Sequence, residues 1–153
     1  MIGDLPARTE ITVSNKLWIK ISDNIIDKSV VTLDILLKDD SEARHFKTDF
    51  EIHAPELDIL SFYLNDSATG NGDQVANPGE TFNLIFSVKN DGSSSISGKF
   101  SISSKDAEIT ILEPNKNSGM LYDGVLTEIP VLVKLAQTVK SGTTISVKTV
   151  LDC

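Results

Sequence analysis

Apolar residues recur at every second position in several short segments of this chain. In residues 46–52, Phe, Thr, Phe and Ile alternate with Lys, Asp and Glu. Because successive side chains of a β-strand point to opposite faces, this pattern predicts a strand with one face in a core and the other in water. No segment shows the i, i+3, i+4, i+7 spacing of an amphipathic helix over the length of a helix.

The same signal occurs along most of the chain, between turns that contain Gly, Asn, Asp or Pro. Further strands are predicted at residues 10–13, 17–21, 30–37, 57–64, 81–88, 99–103, 108–112, 127–135 and 143–151. Many short strands with such turns between them predict an all-β fold of the β-sandwich type.

Composition excludes several classes of function. The net charge is -8, and there is no Lys/Arg cluster of the kind that neutralises phosphates, so we expect no nucleic-acid partner. No apolar run has the length of a membrane span. Ser93, Ser94 and Ser95 lack the Gly-x-Ser-x-Gly context and a paired base. We therefore expect no catalytic residues and no enzyme activity in this segment.

The chain contains an internal echo. Residues 19–21 followed by 27–33 match residues 133–135 followed by 141–147 at the same spacing, and Leu36-Leu37 falls on Val150-Leu151. If the two units are related, residues 1–54 are the C-terminal portion of a preceding β-sandwich module, and residues 56–153 form a nearly complete one. The alternative is that any two β-hairpins look alike. A unit as small as the first has a thin core, so it should pack on the second unit or pair with another molecule through an open sheet edge.

One loop, residues 65–80, carries candidate metal ligands. Counted from Thr69, oxygen-bearing Asn71 and Asp73 take the third and fifth places of an EF-hand calcium loop, and Glu80 takes the twelfth. Because Ca²⁺ prefers several hard oxygen ligands, the pattern predicts a Ca²⁺ site. The full candidate set is Asp66, Asn71, Asp73, Asn77 and Glu80.

This loop departs from the calcium pattern in two places and admits another interpretation. Thr69 stands where an Asp is usual, although Asp66 lies nearby, and Gln74 stands where Gly is usual. The flanking segments are strands rather than helices. The alternative is an ordered, turn-rich loop without a metal, in which residues 77–79 form a tight turn and Glu80 accepts hydrogen bonds from backbone amides.

Residues 57–153 resemble a module found in secreted proteins of the Bacteroidetes, including gingipain-like cysteine peptidases, most clearly in the segment from 64 to 92. The resemblance rests on Asp66, Gly70-Asn71-Gly72-Asp73, Asn77-Pro78-Gly79-Glu80-Thr81 and Lys89-Asn90-Asp91-Gly92. It implies an immunoglobulin-like antiparallel β-sandwich that is exported to the cell surface. It also implies that any catalytic domain lies elsewhere in the parent protein.

Together these observations predict a non-catalytic accessory, spacer or adhesion module of a secreted or cell-surface protein, with Ca²⁺ as its candidate ligand. Residues 1–6 lack the basic region and the apolar core of a signal peptide, so either the protein stays inside the cell or this chain is a piece of a longer one. Strand-like segments close to both ends favour the second, and we expect a segment excised from a longer exported chain. Its expected partners are other domains of the parent protein, a surface glycan or protein, and a second copy of itself.

Two alternatives of other kinds stay open. A carbohydrate-binding module would use exposed aromatic side chains, for which Trp18, Tyr63 and Tyr122 are the candidates. A protein-interaction domain would accept a partner's strand at an unpaired sheet edge. Cys153 is the single cysteine, so no disulfide within the chain is possible.

Overall fold

The structure is a computed structural model that describes residues 7–12, 14 and 17–153. Within these residues the chain forms nine β-strands, all paired antiparallel, and no helix. The all-β prediction is therefore confirmed. The strands are β1 (Val30–Lys38), β2 (Ala43–Glu51), β3 (Leu57–Asn65), β4 (Thr81–Asn90), β5 (Ile96–Ser103), β6 (Ile109–Ile111), β7 (Asn115–Leu121), β8 (Leu126–Leu135) and β9 (Lys148–Asp152).

Seven of these strands form two sheets around one core. One sheet has the order β3-β4-β8-β6 and the other the order β7-β5-β9. The inward side chains of β4 and β8 meet those of β5 and β7, and the rings of Phe86 and Phe100 lie 5.1 Å apart. The buried cluster consists of Phe82, Leu84, Phe86, Val88, Phe100, Ile102, Leu121, Ile129, Val131, Val133 and Leu135. Two sheets that share a core in this way form a β-sandwich.

The other two strands form a hairpin. β1 pairs with β2 along its whole length, from Val30 opposite Glu51 to Lys38 opposite Ala43. The alternation predicted from sequence is present, but most side chains of the hairpin are exposed. The assignment of residues 1–54 to a preceding module stays a prediction, and residues 1–6, 13, 15 and 16 of that range lie outside the described residues.

Within the described residues, two of the predicted strands are not formed. The predicted strand at 17–21 is wrong: these residues are irregular, and Trp18 is 82% exposed. At 10–13, the described residues 10–12 are irregular as well, and Val13 lies outside the described residues. A strand is defined by a hydrogen-bonded neighbour as much as by its side-chain pattern, and no strand in the described part of the chain pairs with either segment.

One strand is unexpected and one is shorter than predicted. β7 (Asn115–Leu121) carries Asn, Lys, Ser and Gly and has no apolar alternation, yet it pairs with β5. Of the predicted strand at 143–151, only the part from Lys148 onward is paired, and residues 143–147 are irregular. In the described residues there is no helix long and apolar enough to cross a membrane.

Candidate functional site

The loop of residues 65–80 connects β3 to β4 and is held by hydrogen bonds within itself. Gly72, Gln74 and Gly79 adopt positive φ angles of 81°, 60° and 81°. Glycine adopts a positive φ angle without steric cost. Gln74 adopts one as well, although it is not a glycine and stands where the calcium-loop pattern usually has Gly. The backbone therefore still makes the turn that the calcium-loop pattern requires at its sixth place.

Asp66 lies at the centre of this loop and is fully buried, at 0% exposure. Its Oδ2 accepts a hydrogen bond from the backbone N–H of Gly72 at 3.0 Å, and the N–H of Gln74 lies 3.2 Å from Oδ1. A buried carboxylate needs such donors because it has lost its water. Asp66 thus folds the second half of the loop back onto the end of β3.

Glu80 closes the loop from the other end. Its Oε1 accepts the N–H of Asn71 at 2.9 Å and its Oε2 accepts the N–H of Asn77 at 2.9 Å. A Cβ at Gly70 would overlap the Glu80 carboxylate and the Asp66 side chain. Only a glycine leaves the space in which these two acidic side chains approach the same stretch of backbone.

Asp73, Asn71 and Asn77 form a second set of contacts on the exposed side of the loop. The Oδ1 of Asp73 accepts the N–H of Val75 at 2.8 Å. The amide groups of Asn71 and Asn77 donate to the Oδ2 of Asp73 at 3.0 and 3.2 Å. The five predicted site residues therefore do lie in one connected network, together with the backbone amides of the loop.

These hydrogen bonds favour the ionised form of two carboxyl groups. The backbone N–H groups of Asn77 and Asn71 lower the pKa of Glu80. The backbone N–H of Val75 lowers the pKa of Asp73, and the side chains of Asn71 and Asn77 act in the same direction. The negative charge of Asp73 works the opposite way on Glu80, raising its pKa by a smaller amount. The loop therefore concentrates negative charge and balances it with amide dipoles.

The contacts agree with the metal-free interpretation in one specific respect, since Glu80 does accept two backbone amides. Across the described residues, no group of three or more His, Cys, Asp or Glu side chains is placed to hold a metal ion. The side-chain acceptors are all oxygen atoms, which suits Ca²⁺. Glu80 accepts two hydrogen bonds, fewer than a carboxylate can accept. The loop thus has the right ligand chemistry, and its carboxylates are already hydrogen-bonded.

A second polar cluster, which sequence reasoning did not single out, joins the hairpin to the sandwich. We call it the junction; it comprises Asp27, residues 52–56 and residues 90–94. Asn90 is 1% exposed, and both polar atoms of its side chain are hydrogen-bonded. Its Oδ1 accepts the N–H groups of Glu56 and Gly92, both at 3.1 Å. Its Nδ2 donates to the carbonyl oxygens of Ser94 and Leu121.

The hairpin side of the junction is held by Asp27. Its Oδ1 accepts the backbone N–H of Ala54 at 2.8 Å and the hydroxyl of Ser93 at 2.5 Å. These bonds lower the pKa of Asp27, the one from Ala54 most strongly. A Cβ at Gly92 would overlap the backbone of Ala54 and Glu56. The turn after β4 therefore packs directly on the connection between hairpin and sandwich.

The turn of this junction was visible in the sequence as Asn90-Asp91-Gly92, but its partner was not. Asp27 lies 66 positions before Ser93 in the chain, and nothing in the local pattern relates the two.

The aromatic candidates for carbohydrate binding lie on separate elements: Tyr63 on β3, Tyr122 just after β7, and Trp18 in the irregular segment. Tyr63 also bonds to Glu128 at 3.2 Å.

In comparison with known proteins, no family model, no curated protein and no solved structure matches the chain. The class that the fold defines is an antiparallel all-β sandwich preceded by a β-hairpin.

Proposed function

We propose that this chain is a non-catalytic accessory module of a secreted or cell-surface protein, and that its role is to act as a rigid spacer between neighbouring β-sandwich units. The observation that carries the proposal is the junction. There, Asp27 and the 52–56 connection are bonded to the turn that follows β4. A flexible linker would leave such backbone groups to water, whereas these bonds hold the hairpin in one orientation.

The order of the strands supports an immunoglobulin-like sandwich. The sheet β3-β4-β8-β6 has the order A-B-E-D of constant-type immunoglobulin domains, with β5 and β9 in the positions of C and F. β7 departs from that plan, since it lies beside β5 and follows β6 in the chain. Together with the resemblance of residues 64–92, this order supports an exported module of the Bacteroidetes type whose neighbours are other domains of the same protein.

The spacer role is tested by the distance between hairpin and sandwich in solution. In the dilute monomeric chain, spin labels are placed on Glu42→Cys in the turn of the hairpin and Ser141→Cys in a loop of the sandwich, with Cys153→Ser in the background. We expect a narrow distance distribution that broadens when Asp27→Ala removes the acceptor for Ala54 and Ser93. Asp39→Ala, which changes an acceptor inside the hairpin turn, is the matched control. A broad distribution in the chain with Asp27 intact would contradict a rigid spacer.

We also propose that Ca²⁺ stabilises the loop of residues 65–80. The supporting observation is that the negative charge of Asp73 acts against that of Glu80, raising its pKa, within a network of oxygen-bearing side chains. A cation bound to their oxygens, with the amide oxygens of Asn71 and Asn77, would offset that repulsion. Ligands that bind only the folded state raise its stability.

The ion proposal is tested by the thermal midpoint of unfolding in excess Ca²⁺, in excess Mg²⁺ and with chelator. We expect Ca²⁺ to raise the midpoint by several degrees, and Glu80→Gln to abolish the rise. Glu108→Gln, an acidic residue outside this loop, should leave the rise intact. An unchanged midpoint in Ca²⁺ would end the ion proposal without affecting the spacer proposal.

A further inference from the structure

One side of the sandwich has an open edge. β9 pairs with β5, and no strand of the described chain pairs with its other side. A groove of about 440 Å³ lies there, between β9 and β3, and we call it the β9 groove. Its walls include the apolar side chains of Phe62, Phe86 and Val147, and Phe62 remains 61% exposed. Both the strand edge and the apolar groove thus lack a partner within the described chain.

The hairpin, in turn, has an apolar face that remains partly exposed. On one of its faces, Val31, Leu33, Ile35 and Leu37 of β1 lie in register with Phe50, Thr48, Phe46 and Arg44 of β2. Phe46, Ile35 and Leu37 are 51%, 41% and 46% exposed. An isolated two-stranded hairpin is only marginally stable in water. Its ladder can therefore open at low cost when a better partner for β2 is present.

The internal echo relates these two regions. It aligns Leu33 with Val147 and Leu37 with Leu151, so β1 corresponds to the segment that ends in β9. Val147 and Leu151 pack against the core of the sandwich. The apolar residues of β1 therefore align with residues that face inward in the sandwich. β2 lies beside β1, and in the sandwich the equivalent position beside β9 is vacant. In an immunoglobulin sandwich that position, next to strand F, belongs to strand G.

The alignment of β1 with the segment that ends in β9 also predicts which residues of β2 would lie opposite which residues of that segment. Ile35 pairs with Phe46 and Leu33 pairs with Thr48 in the hairpin. When β9 takes the place of β1, Phe46 falls opposite Thr149 and Thr48 falls opposite Val147. Both Thr149 and Val147 line the β9 groove. Side chains on the apolar face of β2 would then enter the groove beside Phe62, while Lys47 would point to solvent.

We propose that the free edge of β9 is a strand-accepting site, and that its occupant is strand β2 of a second copy of this chain. β2 leaves its own β1 and pairs antiparallel with β9 of the other molecule, so that Phe46 fills the β9 groove. An unpaired strand edge beside an apolar groove is the arrangement that strand addition uses. Exchange of one element between identical chains is a common route to such dimers.

The register makes a cross-linking experiment decisive. In a Cys153→Ser background, chains with Phe46→Cys are mixed with chains with Thr149→Cys under mild oxidation. Opposed residues of paired antiparallel strands lie within disulfide range, so we expect a disulfide-linked heterodimer. Lys47→Cys, on the opposite face of β2, is the matched control and should give at least tenfold less heterodimer. Equal yields from the two mixtures would overturn the proposal.

A second measurement, made under reducing conditions so that Cys153 forms no disulfide, identifies the occupant without a cross-link. Sedimentation of the unmodified chain should show a dimer whose fraction rises with concentration. A peptide of residues 43–52 in excess should bind and convert the dimer to monomer, whereas a scrambled peptide should not. A chain that binds the peptide yet stays monomeric would overturn the second copy as occupant. A chain that neither dimerises nor binds the peptide would overturn the strand-accepting site itself.

Discussion

The hairpin and the sandwich carry the same sequence signal and reach different degrees of burial. Strands β1 and β4 both alternate apolar residues over nine or ten positions. In β4, Phe82, Phe86 and Val88 are almost completely buried, whereas in β1 the corresponding side chains remain partly or largely exposed. The difference is that β4 faces a second sheet and β1 does not. Alternation therefore defines which face of a strand is apolar, and only a second layer turns that face into a core.

The hairpin and the sandwich also differ in their polar contacts. The hairpin contributes exposed ion pairs, such as Lys47 with Asp34 at 3.7 Å and Arg44 with Glu42 at 2.9 Å. Pairs of this kind contribute little to stability. The sandwich contributes buried Asp66 and Asn90, whose hydrogen bonds replace lost water. The polar groups that matter for the fold should therefore be found in the sandwich and at its junction.

The largest expected effect comes from equal truncations in the two regions. Phe100 is 0% exposed and packs against Phe86, so Phe100→Ala should lower the free energy of unfolding by about 3–5 kcal/mol. Phe46→Ala in the exposed hairpin should lower it by less than about 1 kcal/mol. Urea denaturation followed by circular dichroism, on dilute monomeric chains, measures both. Losses of similar size would mean that the hairpin has a core of its own.

The next effect concerns the junction. Asn90→Ala removes four hydrogen bonds and leaves the N–H groups of Glu56 and Gly92 without that acceptor, which should cost about 2–4 kcal/mol. Asn24→Ala, at an exposed position before the hairpin, should change the free energy of unfolding by less than about 0.5 kcal/mol. If both variants behave alike in urea denaturation, the junction does not contribute to the stability of the fold.

The smallest effect is acid sensitivity of the loop at residues 65–80. Hydrogen bonds lower the pKa values of Glu80 and Asp73 in the folded chain. Their contribution is therefore present above the unfolded-state values, near pH 4, and is lost as the pH falls through the lower folded values. We expect amide exchange at Asn71 and Asn77, relative to intrinsic rates, to accelerate below about pH 4 before the core unfolds. Glu80→Gln should remove most of this pH dependence, and an unchanged variant would show that another group is responsible.

Much of the fold could be predicted from local alternation because most strands follow their own pattern. Residues 30–37, 57–64, 81–88 and 127–135 were predicted as strands and are strands. The failures have one physical cause, which is that pairing depends on distant residues. Residues 17–21 alternate but have no neighbouring strand in the described chain, whereas β7 lacks alternation and is held as a strand by β5.

The candidate loop was predicted in part. The sequence indicated the five oxygen-bearing residues and the backbone bonds to Glu80, since both follow from local spacing. It did not indicate that Asp66 is the buried centre of the loop, because burial depends on how the whole sandwich covers the end of β3. The junction was missed for the same reason, since the contact between Asp27 and Ser93 joins distant parts of the chain.

Residue-resolved hydrogen exchange of the dilute monomer tests most directly that the sandwich is self-sufficient and the hairpin is not. We predict that paired amides of β4, β5 and β8 exchange only through global unfolding, and that those of β1 and β2 exchange at least a hundredfold faster through local opening. Protection of β2 should increase when the chain dimerises. Equal protection of hairpin and sandwich in the monomer would contradict the account.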